Sequence, residues 1–242
     1  MTPTPPAGHP TRGELLAYKV ARGIAVGISR IYLPGGVVGR ENLPPAGAYL
    51  VAPVHRSYVD WLIVARITGR RRLRYIAKAE IWKSKIVGRL LESLGVFPVN
   101  RSGADREALE RCRQVLAGGE PLVMFPEGTR RSGPVVSDLR EGVAYLAIRA
   151  GVPVVPVGIG GTEQAMPRGS ALPRPHRVEV VIGEPIWPPA GDGVDSSETE
   201  AAHPRKPGRV SRRAMKEFSD EIAAGMQTVF DEAQRRARVK RD

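Results

Sequence analysis

Cysteine, histidine, aromatic side chains and long apolar runs are all scarce in this chain of 242 residues. Its one cysteine, Cys112, cannot form an internal disulfide, which fits a reducing compartment. No apolar run approaches the roughly 20 residues that a membrane-spanning helix needs, which excludes a polytopic membrane protein. The N-terminal residues also lack the charged start and apolar core of a secretory signal.

Motifs for metals and nucleotides are missing as well. The four histidines, His9, His55, His176 and His203, are scattered, and no His or Cys pair has the spacing of metal ligands, so we expect no metal site. Neither GxxxxGK(S/T) nor GxGxxG occurs, so nothing predicts a nucleotide-binding loop. Aromatic residues make up 5% of the chain, which leaves few platforms on which single-stranded bases could stack.

Basic residues are in clear excess. There are 37 Lys and Arg against 25 Asp and Glu, a formal net charge of +12. Charge of this sign favours nucleic acid, an anionic membrane surface or phosphorylated substrates as partners. A hydrophobic content of 42% excludes a wholly disordered chain.

Strands and helices are predicted to alternate between residues 36 and 187. Apolar runs indicate strands, and the segments between them have helical periodicity. The predicted strands are 49–54, 73–77, 96–99, 122–125, 154–159 and 178–182, and the predicted helices are near 58–68, 80–93, 104–117 and 138–150. This alternation predicts a single α/β domain in which helices flank a mixed, mostly parallel central sheet.

The regions outside this domain also have helical patterns. Residues 1–35 predict a disordered start followed by an amphipathic helix over 14–33, with apolar Leu16, Val20, Ile24, Ile28 and Ile31 on one side and Lys19, Arg22 and Arg30 on the other. Two compatible interpretations stay open: the helix packs on its own domain, or it lies on a membrane surface. Residues 188–209 predict a flexible linker. Residues 210–242 predict a C-terminal helix and a basic tail, with an apolar stripe of Met215, Phe218, Ile222, Met226, Val229 and Phe230.

His55 directly follows the predicted strand 49–54, and Asp60 lies five residues further on. Ligand sites in open α/β sheets lie beyond the carboxyl ends of strands. A carboxylate on one imidazole nitrogen fixes the tautomer and leaves the other nitrogen to act as a base, here on a substrate hydroxyl. Ser57 and Asp60 have the spacing of a capping box, so Ser57 could be an N-cap with Asp60 in the first helical turn, and the segment before the helix could then fold His55 back toward Asp60. A surface histidine beside an ordinary helix cap is the competing interpretation.

The segment FPEGTRRSG, residues 125–133, follows another predicted strand. Gly128 favours a turn, Thr129 offers a hydroxyl, and Arg130 offers a guanidinium suited to bidentate contact with phosphate. Glu127 has the wrong charge for an anion site, and two roles stay open for it: bonding a substrate hydroxyl, or holding an arginine in place. Taken alone, the segment could also be a tight turn with a surface ion pair.

Two further segments have a similar placement. GVFPVNRS, residues 95–102, puts Arg101 just after a strand, and VPVVPVGIGGTE, residues 152–163, has Pro156 within one. A proline within a strand lacks a ladder donor, which indicates an edge, a bulge or a special contact. Taken alone, these segments could be a solvated arginine and a plain buried strand.

The four segments come in the order H-x4-D, GVFPVNR, FPEGTR and VPVVPV. This pattern resembles the four blocks of the glycerolipid acyltransferase family, which includes the 1-acyl-sn-glycerol-3-phosphate acyltransferases and the glycerol-3-phosphate acyltransferases. The resemblance covers about residues 36–187, which we identify as an acyltransferase domain. One departure is Val54, where many members of the family have asparagine before the histidine.

The resemblance implies an O-acyltransferase of phospholipid biosynthesis. It would move a fatty acyl group from acyl-CoA or acyl-carrier protein to the hydroxyl of 1-acyl-glycerol-3-phosphate or a related glycerol phosphate. His55 would be the general base and Asp60 would orient it. The residues implied to bind substrate are Arg101, Glu127, Gly128, Thr129, Arg130 and Pro156, the last by shaping the acyl-donor or acceptor channel. The acyl thioester is already activated, so no cofactor is expected.

The resemblance also reduces the set of expected binding partners. The enzyme is expected to be a peripheral protein at the cytoplasmic face of the membrane, held there by anionic lipid, with no nucleic-acid partner. Two alternatives remain. One is an acyltransferase of the same fold with another acceptor, such as a lysophospholipid or a glycolipid. The other is a non-enzymatic basic protein that binds membranes or nucleic acid.

Overall fold

The computed structural model describes residues 12–67, 71–99, 105–189 and 211–238. Its strands are β1 (Val37–Val38), β2 (Leu50–Pro53), β3 (Arg74–Lys78), β4 (Val96–Val99), β5 (Leu122–Val123), β6 (Val154–Gly160) and β7 (Glu179–Ile182). Its α-helices are α1 (Arg12–Tyr32), α2 (Asp60–Val64), α3 (Lys85–Ser93), α4 (Asp105–Ala117), α5 (Gly142–Ala150), α6 (Thr162–Ala165) and α7 (Arg212–Arg238). Short 3-10 helices occupy Arg40–Asn42 and Ala79–Lys83.

The strands form one sheet in the order β1-β7-β6-β2-β5-β3-β4. β6, β2, β5, β3 and β4 all run parallel. β7 is antiparallel to β6, and β1 is parallel to β7. The predicted single α/β domain with a mixed, mostly parallel sheet is therefore confirmed. Because β2 lies between β5 and β6, the carboxyl ends of these three strands are neighbours at one edge of the sheet.

Several predicted elements are shorter than their sequence patterns. The helix predicted at 58–68 is reduced to Asp60–Val64, and the one predicted at 138–150 begins only at Gly142. β5 keeps two residues, and the two-residue β1 was not predicted. Arg101, nearly all of the linker 188–209 and the end of the basic tail lie outside the described residues, so the domain boundaries there stay predictions.

Pro156 lies in the interior of the sheet, because β6 is paired with β2 on one side and β7 on the other. Of the three interpretations left open for this proline, an edge, a bulge or a special contact, the edge strand is therefore excluded. The missing N–H costs little, since Gly183, just beyond the end of β7, donates its N–H to the Pro156 carbonyl at 2.9 Å. Between Pro156 and Gly183, the hydrogen bond that is lost is the one that a backbone N–H at position 156 would donate back to Gly183.

Helix α7 packs across β6 at very short range. A Cβ built on Gly158 would lie 2.0 Å from the carbonyl oxygen of Val229, and one on Gly160 would lie 2.2 Å from that of Ala233. The predicted apolar stripe faces this contact: Phe218, Ile222, Met226, Val229 and Phe230 are buried, and Met215 packs at the border of the core. The predicted C-terminal helix and its apolar face are confirmed.

Helix α1 packs on the domain too, but through its polar side. Tyr18 and Ser29 are buried, and Arg22 donates to the carbonyl of Ala65 at 3.0 Å. The buried Arg66 donates to the hydroxyl of Ser29 and to the carbonyl of Leu33, both at 2.8 Å, and also to the carbonyl of Ser29. Burial lowers the pKa of Arg66 to about 10, so it stays a cation at neutral pH and can bind these end carbonyls of the helix.

The apolar side of α1 faces away from the domain. Leu16, Val20, Ile24, Ile28 and Ile31 are 54% to 85% exposed. The helix therefore does pack on its own domain, as one interpretation required, but its apolar stripe takes no part in that packing. Within the described ranges, no helix is both long enough and apolar enough to cross a membrane.

Candidate active site

His55 lies beyond the carboxyl end of β2, in the loop of residues 54–59 that joins β2 to α2 and that we call the His55 loop. Its Nδ1 is 2.9 Å from Oδ2 of Asp60, the first residue of α2. The same oxygen accepts the backbone N–H groups of Arg56 and Ser57, each at 2.7 Å. The buried Asp60 carboxylate thus closes the His55 loop and fixes the imidazole within it.

Ser57 is not the cap that its spacing predicts. The residue preceding α2 is Val59, and the Ser57 hydroxyl instead donates to the carbonyl of Met166 at 3.0 Å. One half of the predicted capping box is present, because the Asp60 carboxylate accepts the Ser57 N–H at 2.7 Å. The other half is absent, because the Ser57 hydroxyl does not cap α2. This arrangement also differs from a surface histidine beside an ordinary helix cap.

The imidazole of His55 is partly accessible to solvent. Its side chain is 20% exposed and packs against the ring of Phe125, with the ring centroids 4.2 Å apart. In the neutral imidazole the tautomer that donates from Nδ1 to Asp60 leaves the lone pair on Nε2. The arrangement can therefore take a proton from a hydroxyl group placed at Nε2.

Glu127 is fully buried in the loop of residues 125–130, which we call the FPEGTR loop. Its Oε2 accepts the backbone N–H of His55 at 2.8 Å. Nη1 of Arg56 donates to both carboxylate oxygens, at 2.6 and 2.8 Å. Of the two roles that the sequence left open for Glu127, these contacts match the second, holding an arginine in place.

Arg56 is the residue of the site that sequence reasoning missed. Besides Glu127 it bonds to the carbonyls of Gly133 at 3.1 Å and Val135 at 3.0 Å, and it lies 4.7 Å from the ring centroid of Phe230 on α7. A buried carboxylate requires a cation. If Glu127 is buried, the sequence therefore predicts a cationic partner for it, but it does not say which of the many arginines supplies the charge.

The FPEGTR loop is also joined to His55 through its backbone. The N–H of Arg131, the next residue, donates to the carbonyl of His55 at 2.8 Å. Gly128 has φ of +65°, a conformation that favours glycine, and a Cβ there would lie 2.3 Å from Nε of Arg140. Thr129 is exposed, and Arg130 is half-buried, with its Cζ 3.3 Å from the ring centroid of Tyr58. The structure thus brings the FPEGTR loop and the His55 loop together.

Two predicted site residues are not seen beside His55. Arg101 lies outside the described residues. Pro156 is buried in the sheet on the side of α7, where a Cβ on Gly225 would lie 3.5 Å from its Cγ. Its part in shaping a substrate channel stays a prediction.

Neither a metal cluster nor a reactive thiol accompanies the site in the described part of the chain. No group of three or more His, Cys, Asp or Glu side chains suited to a metal ion occurs there. Cys112 is buried, and burial raises the pKa of its thiol to about 12, so it is not a thiolate nucleophile near neutral pH.

Comparison with known proteins places this site in a family. The family model described as Acyltransferase matches residues 36–160, which include the H-x4-D, GVFPVNR and FPEGTR segments and Pro156. A 1-acyl-sn-glycerol-3-phosphate acyltransferase from Bacillus subtilis is 30% identical over 156 residues, covering 64% of this chain and 75% of that protein. One from Chlamydomonas reinhardtii is 34% identical over 158 residues, covering 63% of this chain and 46% of that protein.

A chloroplastic relative from Brassica napus is 31% identical over 155 residues, covering 62% of this chain and 44% of that protein. The chain thus spans less than half the length of these algal and plant relatives. The crystal structure of a 1-acyl-sn-glycerophosphate acyltransferase from Thermotoga maritima has a TM-score of 0.68 at 23% identity, covering 95% of this chain and 84% of that one, so the two share a fold. Since the family model matches more than half of its 242 residues, the chain belongs to the Acyltransferase family.

Proposed function

We propose that the protein is an O-acyltransferase that moves a fatty acyl group from an acyl thioester to the hydroxyl of 1-acyl-glycerol-3-phosphate or a related glycerol phosphate. The observation that carries this proposal is the 2.9 Å contact between His55 Nδ1 and the buried Asp60. It supplies an oriented base at the carboxyl ends of parallel strands, where ligands bind in such sheets. The bacterial, algal and plant relatives are named for this acceptor.

The base would act in one direct transfer. Nε2 of His55 takes the proton of the acceptor hydroxyl as its oxygen attacks the thioester carbonyl. The tetrahedral intermediate then collapses, the C–S bond breaks, and the departing sulfur takes the proton back from the imidazolium. Asp60 stabilises the imidazolium that forms, and general-base catalysis of this kind contributes about 10²- to 10⁴-fold.

The phosphate of the acceptor would bind at the FPEGTR loop. The guanidinium of Arg130 forms no hydrogen bond or ion pair with another described residue, so its N–H groups are available to an anion. Gly128 and Thr129 precede it in the same loop, and Arg101 is expected to contribute. Arg56 and Glu127 would not touch substrate, because they bind each other and hold the loop beside His55.

The donor would be acyl-CoA or acyl-carrier protein, and no cofactor is needed because the thioester supplies the activated acyl group. We also propose that the protein works as a peripheral protein on the cytoplasmic face of an anionic membrane. The exposed apolar side of α1 supports this, because an amphipathic helix of this kind inserts its apolar side at the lipid interface. No nucleic-acid partner is expected.

The test is an acylation assay with a panel of acceptors. The purified protein is given 1-acyl-glycerol-3-phosphate, glycerol 3-phosphate, a lysophospholipid or a glycolipid, each with acyl-CoA or acyl-carrier protein. We expect turnover with a glycerol phosphate, and a loss of about 100-fold or more in kcat for His55→Ala. His203→Ala, in the predicted linker, is the matched control and should keep full activity.

Three results would overturn parts of the proposal. Turnover by His55→Ala within tenfold of the wild type would remove His55 as the base. Turnover only with the lysophospholipid or the glycolipid would replace the acceptor but keep the reaction. No turnover with any pair, together with vesicle binding, would favour a non-enzymatic membrane protein.

A further inference from the structure

The guanidinium of Arg130 is stacked on the aromatic ring of Tyr58. Its Cζ lies 3.3 Å from the ring centroid, whereas the other arginine–aromatic contacts of the described chain range from 4.7 to 6.0 Å. At this distance a strongly tilted guanidinium would push one of its nitrogens into the ring, so the guanidinium lies nearly flat on the ring face. A cation in this place is attracted by the negative face of the ring.

Tyr58 has no other evident reason to be aromatic. It lies in the His55 loop, three residues after the histidine, and its side chain is 55% exposed. It is therefore not part of the hydrophobic core, whose residues are buried elsewhere in the domain. The ring contributes to this surface mainly by supporting the guanidinium.

The stack leaves the donors of Arg130 free while it restrains their direction. A ring covers one face of the guanidinium, but the N–H groups point outward in the guanidinium plane. A long arginine side chain that is already held loses less conformational freedom when it binds an anion. The stack therefore prepares Arg130 for a bidentate ligand such as phosphate.

The stack also lies close to the proposed base. Tyr58 belongs to the His55 loop, and the residue after Arg130 donates its backbone N–H to the carbonyl of His55 at 2.8 Å. Tyr58 is thus connected to His55 through two intervening residues, and Arg130 is connected to it through the hydrogen bond of the neighbouring Arg131. An anion held by Arg130 would be placed relative to the imidazole by the same contact.

We propose that Tyr58 is a positioning residue for the acceptor: its ring holds the Arg130 guanidinium in the orientation that binds the acceptor phosphate. The inference rests on the proposed function, because it assumes a phosphorylated acceptor at the FPEGTR loop. It adds a residue of the H-x4-D segment, other than its His and Asp, to the recognition of phosphate.

The experiment compares four substitutions at Tyr58 by KM for 1-acyl-glycerol-3-phosphate and by kcat. Tyr58→Phe and Tyr58→Trp keep a ring, whereas Tyr58→Leu and Tyr58→Ala remove it. Exposed cation–π contacts have a strength that corresponds to about a two- to fivefold change in binding. We expect the Leu and Ala variants to raise KM by about that factor, while the Phe and Trp variants stay near wild type and kcat is unchanged throughout.

A second arm tests the coupling to Arg130. If the ring acts through the guanidinium, Tyr58→Leu should not raise KM further in an Arg130→Ala background. Tyr145→Leu is the matched control, because it removes another exposed tyrosine beside an arginine, with Arg149 Cζ 6.0 Å from the ring centroid, on α5. It should leave KM unchanged.

The outcomes separate this inference from the proposed function. An unchanged KM in Tyr58→Leu, an equal rise in Tyr58→Phe, or a further rise in the Arg130→Ala background would overturn the role of Tyr58 while His55-dependent turnover stands. A fall in kcat without a change in KM would also overturn it. Absence of His55-dependent turnover by the wild type would overturn the proposed function and this inference together.

Discussion

Helices α1 and α7 have the same kind of sequence and meet the domain in opposite ways. Each is long, with 21 residues in α1 and 27 in α7, and each combines an apolar stripe with many basic residues. The stripe of α7 is buried against the sheet, whereas the stripe of α1 is exposed. Amphipathic periodicity therefore predicts that a face will be covered, but it does not say whether protein or another phase covers it.

The difference lies in the surfaces that each helix meets. α7 meets Gly158 and Gly160, which let its backbone approach β6 so closely that apolar side chains on both sides are enclosed. α1 meets Arg66, whose guanidinium bonds to the Ser29 hydroxyl and the Leu33 carbonyl. A surface built around a buried cation selects the polar side of a helix, because apolar side chains would leave its donors unpaired.

The two helices also reach the site from different directions. α7 contacts the segment after the FPEGTR loop, since Gln227 accepts the N–H of Val136 at 2.7 Å and donates to the carbonyl of Pro134 at 2.9 Å. Phe230 lies under Arg56. α1 instead contacts α2, whose first residue is Asp60. The His55 loop is thus supported by a helix within the core and by one at the surface.

The largest expected difference between the two helices is in the free energy of unfolding when the same charge is placed in the apolar stripe of each. Ile222 of α7 is 1% exposed and Ile24 of α1 is 60% exposed. Ile222→Asp buries an unpaired carboxylate and should cost more than about 4 kcal/mol in the free energy of unfolding. Ile24→Asp should change it by less than about 0.5 kcal/mol. Urea denaturation followed by circular dichroism measures both, and similar losses would mean that α1 packs with its apolar side after all.

A smaller effect is expected from glycine substitutions. Gly158→Ala puts a Cβ 2.0 Å from the Val229 carbonyl, so α7 must move away from β6. Such overpacking costs about 1–3 kcal/mol, and the shift of Phe230 away from Arg56 should lower activity as well. Gly27→Ala in α1 is the matched control, because nothing lies within 4 Å of its added Cβ.

The control substitution is expected to change the free energy of unfolding in the opposite direction. In an open helical position alanine is favoured over glycine by up to about 1 kcal/mol, so Gly27→Ala should raise the free energy of unfolding. Thermal denaturation of the two variants at equal concentration measures the contrast. If both substitutions stabilised the protein, the close contact between α7 and β6 would be refuted.

Sequence reasoning succeeded where the information was local. The alternation of apolar runs predicted the mostly parallel sheet, and the five-residue spacing of His55 and Asp60 anticipated their contact. The bond between Arg56 and Glu127 spans 71 residues. It was missed because several arginines could have met that carboxylate. The sequence left the place of Pro156 open between an edge, a bulge and a special contact, because strand order is set by tertiary pairing, which the proline itself does not reveal.

In the orientation that α1 adopts, basic side chains lie beside the exposed apolar stripe. At 100° per residue, the domain-facing residues Tyr18 and Ser29 lie opposite the apolar side, while Lys19 and Arg30 lie along one of its borders. Both border cations are exposed. A helix that lies in a lipid interface has this distribution, because long basic side chains reach the headgroups while the apolar side is immersed.

The last expected effect is on membrane affinity and is similar in size to that of Gly158→Ala; it uses the folded Ile24→Asp variant. Full burial of an isoleucine side chain is worth about 1.5–3 kcal/mol, so losing it should weaken binding to anionic vesicles by about tenfold or more in a co-sedimentation assay. Thr228→Asp adds the same charge to an exposed position of α7 and should leave binding unchanged. Equal weakening by both variants would mean that net charge alone holds the protein on the vesicle. Weakening by Ile24→Asp alone would show that lipid covers the apolar side of α1, the role that the sheet has for α7.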